Sequence, residues 1–148
     1  MENTSFSTAF TVDQSPDEVF RAINHARGWW SGSFEGDTDR LGAEFDYRYQ
    51  DAHYSRQKVT EFIPATKVVW HVTDSKLTFV GKKNEWTGTD IIFEISRKDG
   101  KTELRFTHAG LIPDNECFEA CSNAWSMLVG RNLRNLITTG KDQPDLFA

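Results

Sequence analysis

Residues 90–109, DIIFEISRKDGKTELRFTHA, decide the fold of this 148-residue chain. Asp99-Gly100 is a strong signal for a two-residue turn, and apolar and polar residues alternate on both sides of it. The stretch therefore predicts an antiparallel hairpin with one apolar face and one face that carries an opposite-charge pair. From the turn outward, the predicted pairs are Lys98 with Lys101, Ile95 with Leu104, Glu94 with Arg105, Phe93 with Phe106, Ile92 with Thr107 and Ile91 with His108.

Alternating runs elsewhere in the chain predict further strands of the same sheet. A turn at Pro64-Ala65 would pair Val59 with Trp70 and Glu61 with Val68. In that register Glu61 faces inward with these apolar residues, and a buried carboxylate needs a polar partner. The predicted strands before the hairpin cover residues 5–12, 43–49, 54–63 and 67–73.

Two regions carry helix signals. Ser15-Pro16-Asp17-Glu18 predicts a helix start with Ser15 as the N-cap, and this short helix ends near Gly28. Trp29-Trp30-Ser31-Gly32 begins a second short turn. A long helix is predicted from Pro113-Asp114 to Thr138, with Asp114 as N-cap and Gly140 as C-cap. Its apolar stripe contains Phe118, Cys121, Trp125, Leu128, Val129, Asn132 and Leu136.

Charge and composition exclude several classes of function. The net charge of −5 and the pI near 5.3 argue against nucleic-acid binding, which requires clustered Lys and Arg. No apolar run approaches the roughly 18–20 residues that span a bilayer, and the N-terminus lacks the pattern of a secretory signal. Cys117 and Cys121 lie at helical spacing, which holds their Cβ atoms too far apart for a disulfide. These features predict a cytoplasmic protein without a membrane span.

The aromatic content is high for a hydrophilic chain. Five Trp, three Tyr and eleven Phe accompany a mean hydropathy of only −0.56. So many large rings either form bulky core layers or line a cavity.

The order of the predicted elements resembles the START-like (SRPBCC) superfamily, and within it the homologues of the ATPase activator of the heat-shock-90 chaperone. The similar segments are Ser15-Pro16-Asp17-Glu18-Val19-Phe20, Trp29-Trp30, Val59-Thr60-Glu61-Phe62-Ile63-Pro64, Val68-Val69-Trp70, Thr107-His108-Ala109-Gly110-Leu111 and Trp125. The resemblance implies an α+β helix-grip fold. A curved antiparallel sheet of about six to seven strands would then wrap the long C-terminal helix around an apolar cavity. It implies one domain over residues 1–140 and a flexible tail at 141–148.

A small apolar or aromatic ligand in that cavity is the leading functional hypothesis. Trp29 and Trp30 are adjacent, so in a helix one would face the core and the other would be partly exposed. Asn132 would lie either in the cavity or at its rim. The candidate lining residues, each of which could also be ordinary core, are Trp29, Trp30, Phe45, Tyr47, Tyr49, Trp70, Phe93, Phe106, His108, Trp125, Val129 and Asn132.

Two alternatives stand beside ligand binding. His108 ends an apolar face, so its imidazole could bind a ligand, act as a general base or hold the end of the sheet by hydrogen bonds. Together with Glu61 it could serve a cyclase- or hydratase-like enzyme, unless Glu61 reaches water at its strand end. The resemblance also implies a chaperone-interacting module. No metal-ligand spacing or catalytic motif is present, so we expect no metal and no cofactor, and both a monomer and a homodimer remain open.

Overall fold

The computed structural model describes residues 5–142. Their strands form one seven-stranded antiparallel sheet that a long C-terminal helix covers. The strands are β1 (Phe6–Val12), β2 (Ser33–Gly36), β3 (Glu44–Tyr49), β4 (His53–Ile63), β5 (Lys67–Leu77), β6 (Asp90–Lys98) and β7 (Lys101–Ala109). The helical elements are α1 (Pro16–Asn24), a short 3-10 helix (Ala26–Gly28) and the C-terminal helix, which runs through the consecutive segments Phe118–Met127, Leu128–Leu133 and Arg134–Thr139.

The sheet is open and curved, with the strand order β1-β7-β6-β5-β4-β3-β2. The predicted register of the β6–β7 hairpin is confirmed at every pair, from Lys98 with Lys101 to Ile91 with His108. Asp99 and Gly100 adopt φ values of 52° and 79°, as this type of two-residue hairpin turn requires. Edge strand β2 was not predicted, because a strand of four residues shows little alternation.

The turn between β4 and β5 differs from the prediction by one residue. Ile63 pairs with Lys67, so the loop contains Pro64-Ala65-Thr66 rather than two residues. Ala65 takes a positive φ of 59° within this loop. The longer loop shifts the register of the strand ends by one residue, which changes the face on which each side chain lies.

A shift in the pairing within β4 then restores the predicted register for the rest of the strand pair near Val59. Val59 pairs with Trp70 as predicted, because the pairing shifts between Val59 and Glu61. Glu61 pairs with Val69, so the predicted pair of Glu61 with Val68 is wrong. Of the two positions that the sequence left open for Glu61, the structure shows the one in which its side chain reaches water.

Helix α1 begins as predicted. The Ser15 hydroxyl oxygen accepts a hydrogen bond from the Glu18 backbone N–H at 3.1 Å, and the Glu18 carboxylate accepts one from the Ser15 N–H at 3.0 Å. This reciprocal pair is the capping box that the sequence indicates, and it satisfies N–H groups that the helix leaves free.

The C-terminal helix begins later than predicted. Residues 113–117 form turns and a bend, and Cys117 rather than Asp114 occupies the N-cap position. The Glu85 carboxylate, which comes from the loop between β5 and β6, accepts hydrogen bonds from the N–H groups of Glu116 (2.8 Å) and Cys117 (3.0 Å). A side chain distant in sequence therefore caps this helix, and no local pattern could indicate it.

The middle of the C-terminal helix, Leu128–Leu133, is a π-helical segment, and Gly140 ends the helix with a φ of 75°. Gly140 is thus the left-handed C-cap that the sequence predicts. The inward side of the helix is buried against the sheet at Cys121, Trp125, Leu128, Val129, Asn132, Leu133 and Leu136. Within the predicted tail, Asp142 accepts a hydrogen bond from the His25 ring at 3.0 Å, while residues 143–148 lie outside the described part of the chain.

Candidate functional site

A pocket of about 180 Å³ lies between the sheet and the first half of the C-terminal helix. Residues of β3 and β4 form one wall, the loop 78–89 forms a second, and the helix forms the third. None of the lining residues is a Lys, Arg, Asp or Glu. They are Trp30, Tyr47, Tyr49, Ala52, His53, Phe79, Trp86, Ala120, Cys121, Ala124, Trp125 and Leu128.

Aromatic pairs build the walls of this pocket. Trp30 stacks on Tyr47 with ring centroids 4.1 Å apart, and Trp86 stacks on Trp125 at 5.7 Å. Trp30 also contacts Trp125 at 5.0 Å, so the two pairs form one continuous surface. Phe79 is 49% exposed, so its apolar ring lies between the pocket and solvent. The walls suit a flat apolar molecule, because aromatic rings prefer offset-stacked and edge-to-face contacts.

The Tyr47 hydroxyl belongs to the scaffold of the pocket. It donates a hydrogen bond to the Ser31 carbonyl, which joins β3 to the segment that carries Trp30. Burial raises the pKa of Tyr47, so the phenol remains a neutral donor. The hydroxyl hydrogen is therefore bonded to the backbone and is not available to a ligand.

His53 contributes an imidazole to the pocket wall. Its Nε2 atom lies 3.2 Å from the Ser55 hydroxyl, which in turn accepts a hydrogen bond from the Gln57 amide at 2.9 Å. These side chains alternate along β4 and face inward, and Ser55 and Gln57 are 0% exposed. Burial lowers the pKa of His53 to about 3, so its ring is neutral at pH 7.

His108 lies behind the pocket, on β7, and both of its ring nitrogens are hydrogen-bonded. The Trp125 indole N–H donates to Nδ1 at 3.0 Å, and Nε2 lies 2.8 Å from the Thr89 hydroxyl. Because that hydroxyl donates to the Trp86 carbonyl, it accepts from a protonated Nε2. Burial, together with nearby His53, lowers the pKa of His108 to about 3. The ring is a neutral connector between the sheet, the loop and the helix.

Glu61 and His108 do not meet. Glu61 is exposed and forms an ion pair with Lys67 at 3.5 Å, whereas His108 is 0% exposed. The inward alternative for Glu61 required a two-residue turn, and the longer loop excludes it. The structure therefore provides no acid–base pair of Glu61 with His108.

The residues proposed as cavity lining divide into two groups. Trp30, Tyr47, Tyr49 and Trp125 line the pocket. Trp29, Phe45, Trp70, Phe93, Phe106, His108, Val129 and Asn132 are buried in close packing. Contacts such as Trp29 on Trp70 at 6.3 Å and Phe93 on Phe106 at 5.2 Å fill the core around these residues.

The expectation that one residue of the Trp29-Trp30 pair is partly exposed is wrong. The two side chains are 0% and 2% exposed, and their rings stack at 6.0 Å. The 3-10 helix ends at Gly28, so neither tryptophan is helical and the helical argument does not apply. Asn132, 3% exposed, lies in the interior, where its amide donates to the Trp29 carbonyl at 3.2 Å.

Several lining residues were not candidates at the sequence level. Phe79 and Trp86 lie in the irregular loop 78–89, where no periodicity indicates which side chains turn inward. The available signal was an isolated Trp86 within the polar stretch KKNEWTG. Cys121 and Leu128 lay on the predicted helical stripe but were not assigned to the cavity. The remaining unassigned lining residues are Ala52, His53, Ala120 and Ala124.

Cys117 and Cys121 are free, in agreement with the expectation from their spacing, and both side chains are buried. Their hydrogen bond raises the pKa of the Cys117 thiol and lowers that of Cys121. Only Cys121 lines the pocket. Within residues 5–142, no group of three or more His, Cys, Asp and Glu side chains is placed to hold a metal ion, and no helix has the length and apolarity to cross a membrane.

The curved sheet and the helix that it grips define a START-like (SRPBCC) protein of α+β class. Residues 13–138 match the model of the family described as activator of Hsp90 ATPase homolog 1-like protein. The chain belongs to this family, and the resemblance inferred from the sequence is confirmed. No curated protein matches the chain significantly.

Solved structures show the same fold at low sequence identity. The Aha1 dimer from Colwellia psychrerythraea has a TM-score of 0.73 and 22% identity, over 93% of this chain and 98% of that one. The protein MLL2253 from Mesorhizobium loti has a TM-score of 0.71 and 14% identity, over 92% and 98%. DynU16, a putative protein in the dynemicin biosynthetic locus, has a TM-score of 0.68 and 18% identity, over 95% of this chain and 49% of that one.

Proposed function

We propose that the protein binds one small, uncharged aromatic or apolar molecule in the pocket beside Trp30, Trp86 and Trp125. The observation that carries the proposal is an open apolar space of about 180 Å³ with aromatic walls. Protein interiors are packed as densely as organic crystals and contain few spaces larger than a water molecule, so a space of this size suggests a binding site. An engineered apolar cavity of about 150 Å³ binds benzene, so the pocket has room for a ligand of one or two rings.

The expected affinity follows from the apolar area that such a ligand buries. An aromatic group of roughly 150–250 Å² gains about 4–6 kcal/mol on full burial. That range corresponds to dissociation constants from about 1 mM down to a few tens of micromolar. Directed polar contacts would be needed for tighter binding.

A titration with 2-ethylnaphthalene, followed by tryptophan fluorescence and by amide NMR shifts, tests the proposal. Ala124→Phe places a ring inside the pocket and is expected to weaken binding at least about tenfold by occupying the ligand volume. Met127→Phe adds a ring on the exposed side of the same helix, where Met127 is 40% exposed, and serves as the matched control. Saturable shifts at Trp86 and Trp125 that Ala124→Phe abolishes would support the proposal. Equal binding by both variants would overturn it.

A second candidate function is interaction with a chaperone of the Hsp90 class, and family membership over residues 13–138 favours it. The surface involved would be exposed rather than inside the pocket. A chaperone ATPase assay with the full chain tests this candidate. Stimulation that is reduced by Ile63→Asp, at a residue 47% exposed, and retained by Ala124→Phe would support it. An unchanged ATPase rate at saturating protein would contradict it.

A further inference from the structure

We infer that His53 selects and orients the ligand: a neutral Nδ1–H donates a hydrogen bond to an acceptor oxygen, such as a ketone, on an uncharged aromatic compound. The inference rests on the proposed function. It adds the chemical class of the ligand and the residue that recognises its acceptor group. His53 is a lining residue of the pocket, and its neighbours on β4 fix its hydrogen-bonding capacity.

The hydrogen bonds along β4 indicate which nitrogen of His53 carries the proton, with the Gln57 side chain oriented so that its NH2 group faces Ser55 and its buried Oε1 has no partner among the described residues. The Gln57 amide donates to the Ser55 oxygen, and the Ser55 oxygen lies 3.2 Å from His53 Nε2. Ser55 is 0% exposed, so its own hydroxyl proton needs an acceptor inside the protein. Nε2 is that acceptor when the neutral ring carries its proton on Nδ1.

Nδ1 is therefore a donor, and it has no hydrogen-bond partner among the contacts of the described residues. The ring contacts Trp86 edge-to-face at 4.4 Å and Tyr47 at 5.1 Å, which holds its orientation. The Nδ1–H is thus a donor without an acceptor, at a pocket whose other lining side chains are mostly apolar. An acceptor on the ligand would satisfy the donor capacity of the protein.

The electrostatics of the site favour an uncharged ligand over an anion. None of the lining residues is a Lys or Arg, and the neutral His53 supplies no positive charge. Glu85, which caps the adjacent helix, adds a carboxylate close to Cys117. A carboxylate ligand would lose its hydration without an ionic partner, and that loss is expensive in an apolar pocket.

Three probes of one shape separate these contributions. The full chain is titrated with 2-acetylnaphthalene, 2-ethylnaphthalene and 2-naphthoate at neutral pH. We expect the ketone to bind about three- to tenfold more tightly than the ethyl compound, which is the worth of one net hydrogen bond. The carboxylate should bind most weakly. Absence of binding by all three overturns the proposed function, whereas equal binding of the ketone and the ethyl compound overturns the role of His53 alone.

His53→Phe keeps a ring in the wall and removes the donor, so it should bring the ketone-to-ethyl ratio close to one. Tyr49→Phe removes a different polar group of the lining and should leave the ratio unchanged. If Tyr49→Phe abolishes the ratio and His53→Phe preserves it, the inference is wrong. Long-range ¹H–¹⁵N spectra of the wild-type protein provide a test without any variant. They should show a protonated Nδ1 that shifts on addition of the ketone, and a protonated Nε2 would overturn the inference.

Discussion

His53 and His108 contact the same Trp86 ring from two strands, at 4.4 Å and 4.6 Å, and burial keeps both rings neutral. They differ in whether a ring nitrogen remains without a hydrogen-bond partner among the described contacts. His108 uses both nitrogens, one toward Trp125 and one toward Thr89. His53 uses Nε2 toward Ser55 and leaves Nδ1 without a partner among the described contacts.

The difference separates a histidine that holds the structure together from one that is available to a ligand. The imidazole of His108 lies where β7, the loop 78–89 and the C-terminal helix converge, so its hydrogen bonds join three elements. The imidazole of His53 lies where packing stops and the pocket begins. Burial and neutrality are common to both sites, and the hydrogen-bond inventory is what distinguishes them.

The largest expected effect is on stability, at His108. His108→Ala leaves a cavity and removes the partners of the Trp125 indole and the Thr89 hydroxyl, which should lower the free energy of unfolding by about 3–5 kcal/mol. Urea denaturation measures it. His71→Ala is the control, because its half-exposed ring pairs only with Asp90 at the surface, and it should cost less than about 1 kcal/mol. Equal losses for the two variants would refute the connecting role of His108.

The next effect is a dependence of stability on pH that the two histidines share. Their folded-state pKa of about 3 lies below the ordinary value of 6.5, so between these limits the unfolded chain binds protons that the folded protein does not. Each histidine should therefore reduce stability by about 1.4 kcal/mol per pH unit as the pH falls below 6.5. Urea denaturation of the wild type and of His53→Phe across pH 7 to 5 measures how the free energy of unfolding changes with pH. The slope should be smaller in the variant by the contribution of one histidine. Parallel slopes would show that His53 is not buried as a neutral ring.

A third prediction compares the two cysteines. Cys121 lines the pocket and its pKa is lowered by the hydrogen bond with Cys117, whereas the pKa of Cys117 is raised and its side chain is 0% exposed. Iodoacetamide should therefore alkylate Cys121 faster, by about an order of magnitude. Peptide mass mapping over time measures both rates, and urea-unfolded protein should show similar rates at both sites. Faster modification of Cys117 in the folded protein would contradict the pocket geometry.

The smallest effect is expected at Glu61. Glu61→Gln removes only a surface ion pair with Lys67, so unfolding should change by less than about 0.5 kcal/mol and probe binding should not change. Denaturation and the 2-acetylnaphthalene titration measure both quantities. A loss of binding beyond twofold would place Glu61 at the pocket, in conflict with the observed register of β4 and β5.

The candidate site was less predictable than the fold because inward position and pocket position are different properties. Trp70 and Phe93 obey the inward pattern, yet each other's ring and the ring of Trp29 fill the space around them. Alternation tells which face of the sheet a side chain occupies, but not whether another element covers it. Trp86 and Phe79 follow no pattern at all, since the loop that carries them is shaped by contacts distant in sequence, including the cap that Glu85 provides.

The sequence by itself determined the features that depend on neighbouring residues. Asp99-Gly100 set the register of β6 and β7, Ser15 and Glu18 set the start of α1, and Gly140 set the end of the last helix. Each follows from backbone geometry or from hydrogen bonds within a few residues. Tertiary structure alone decided that a pocket stays open beside His53 while His108 is fully bonded. That outcome depends on how side chains from β4, β7, the loop 78–89 and the helix share one volume and one set of hydrogen-bond partners.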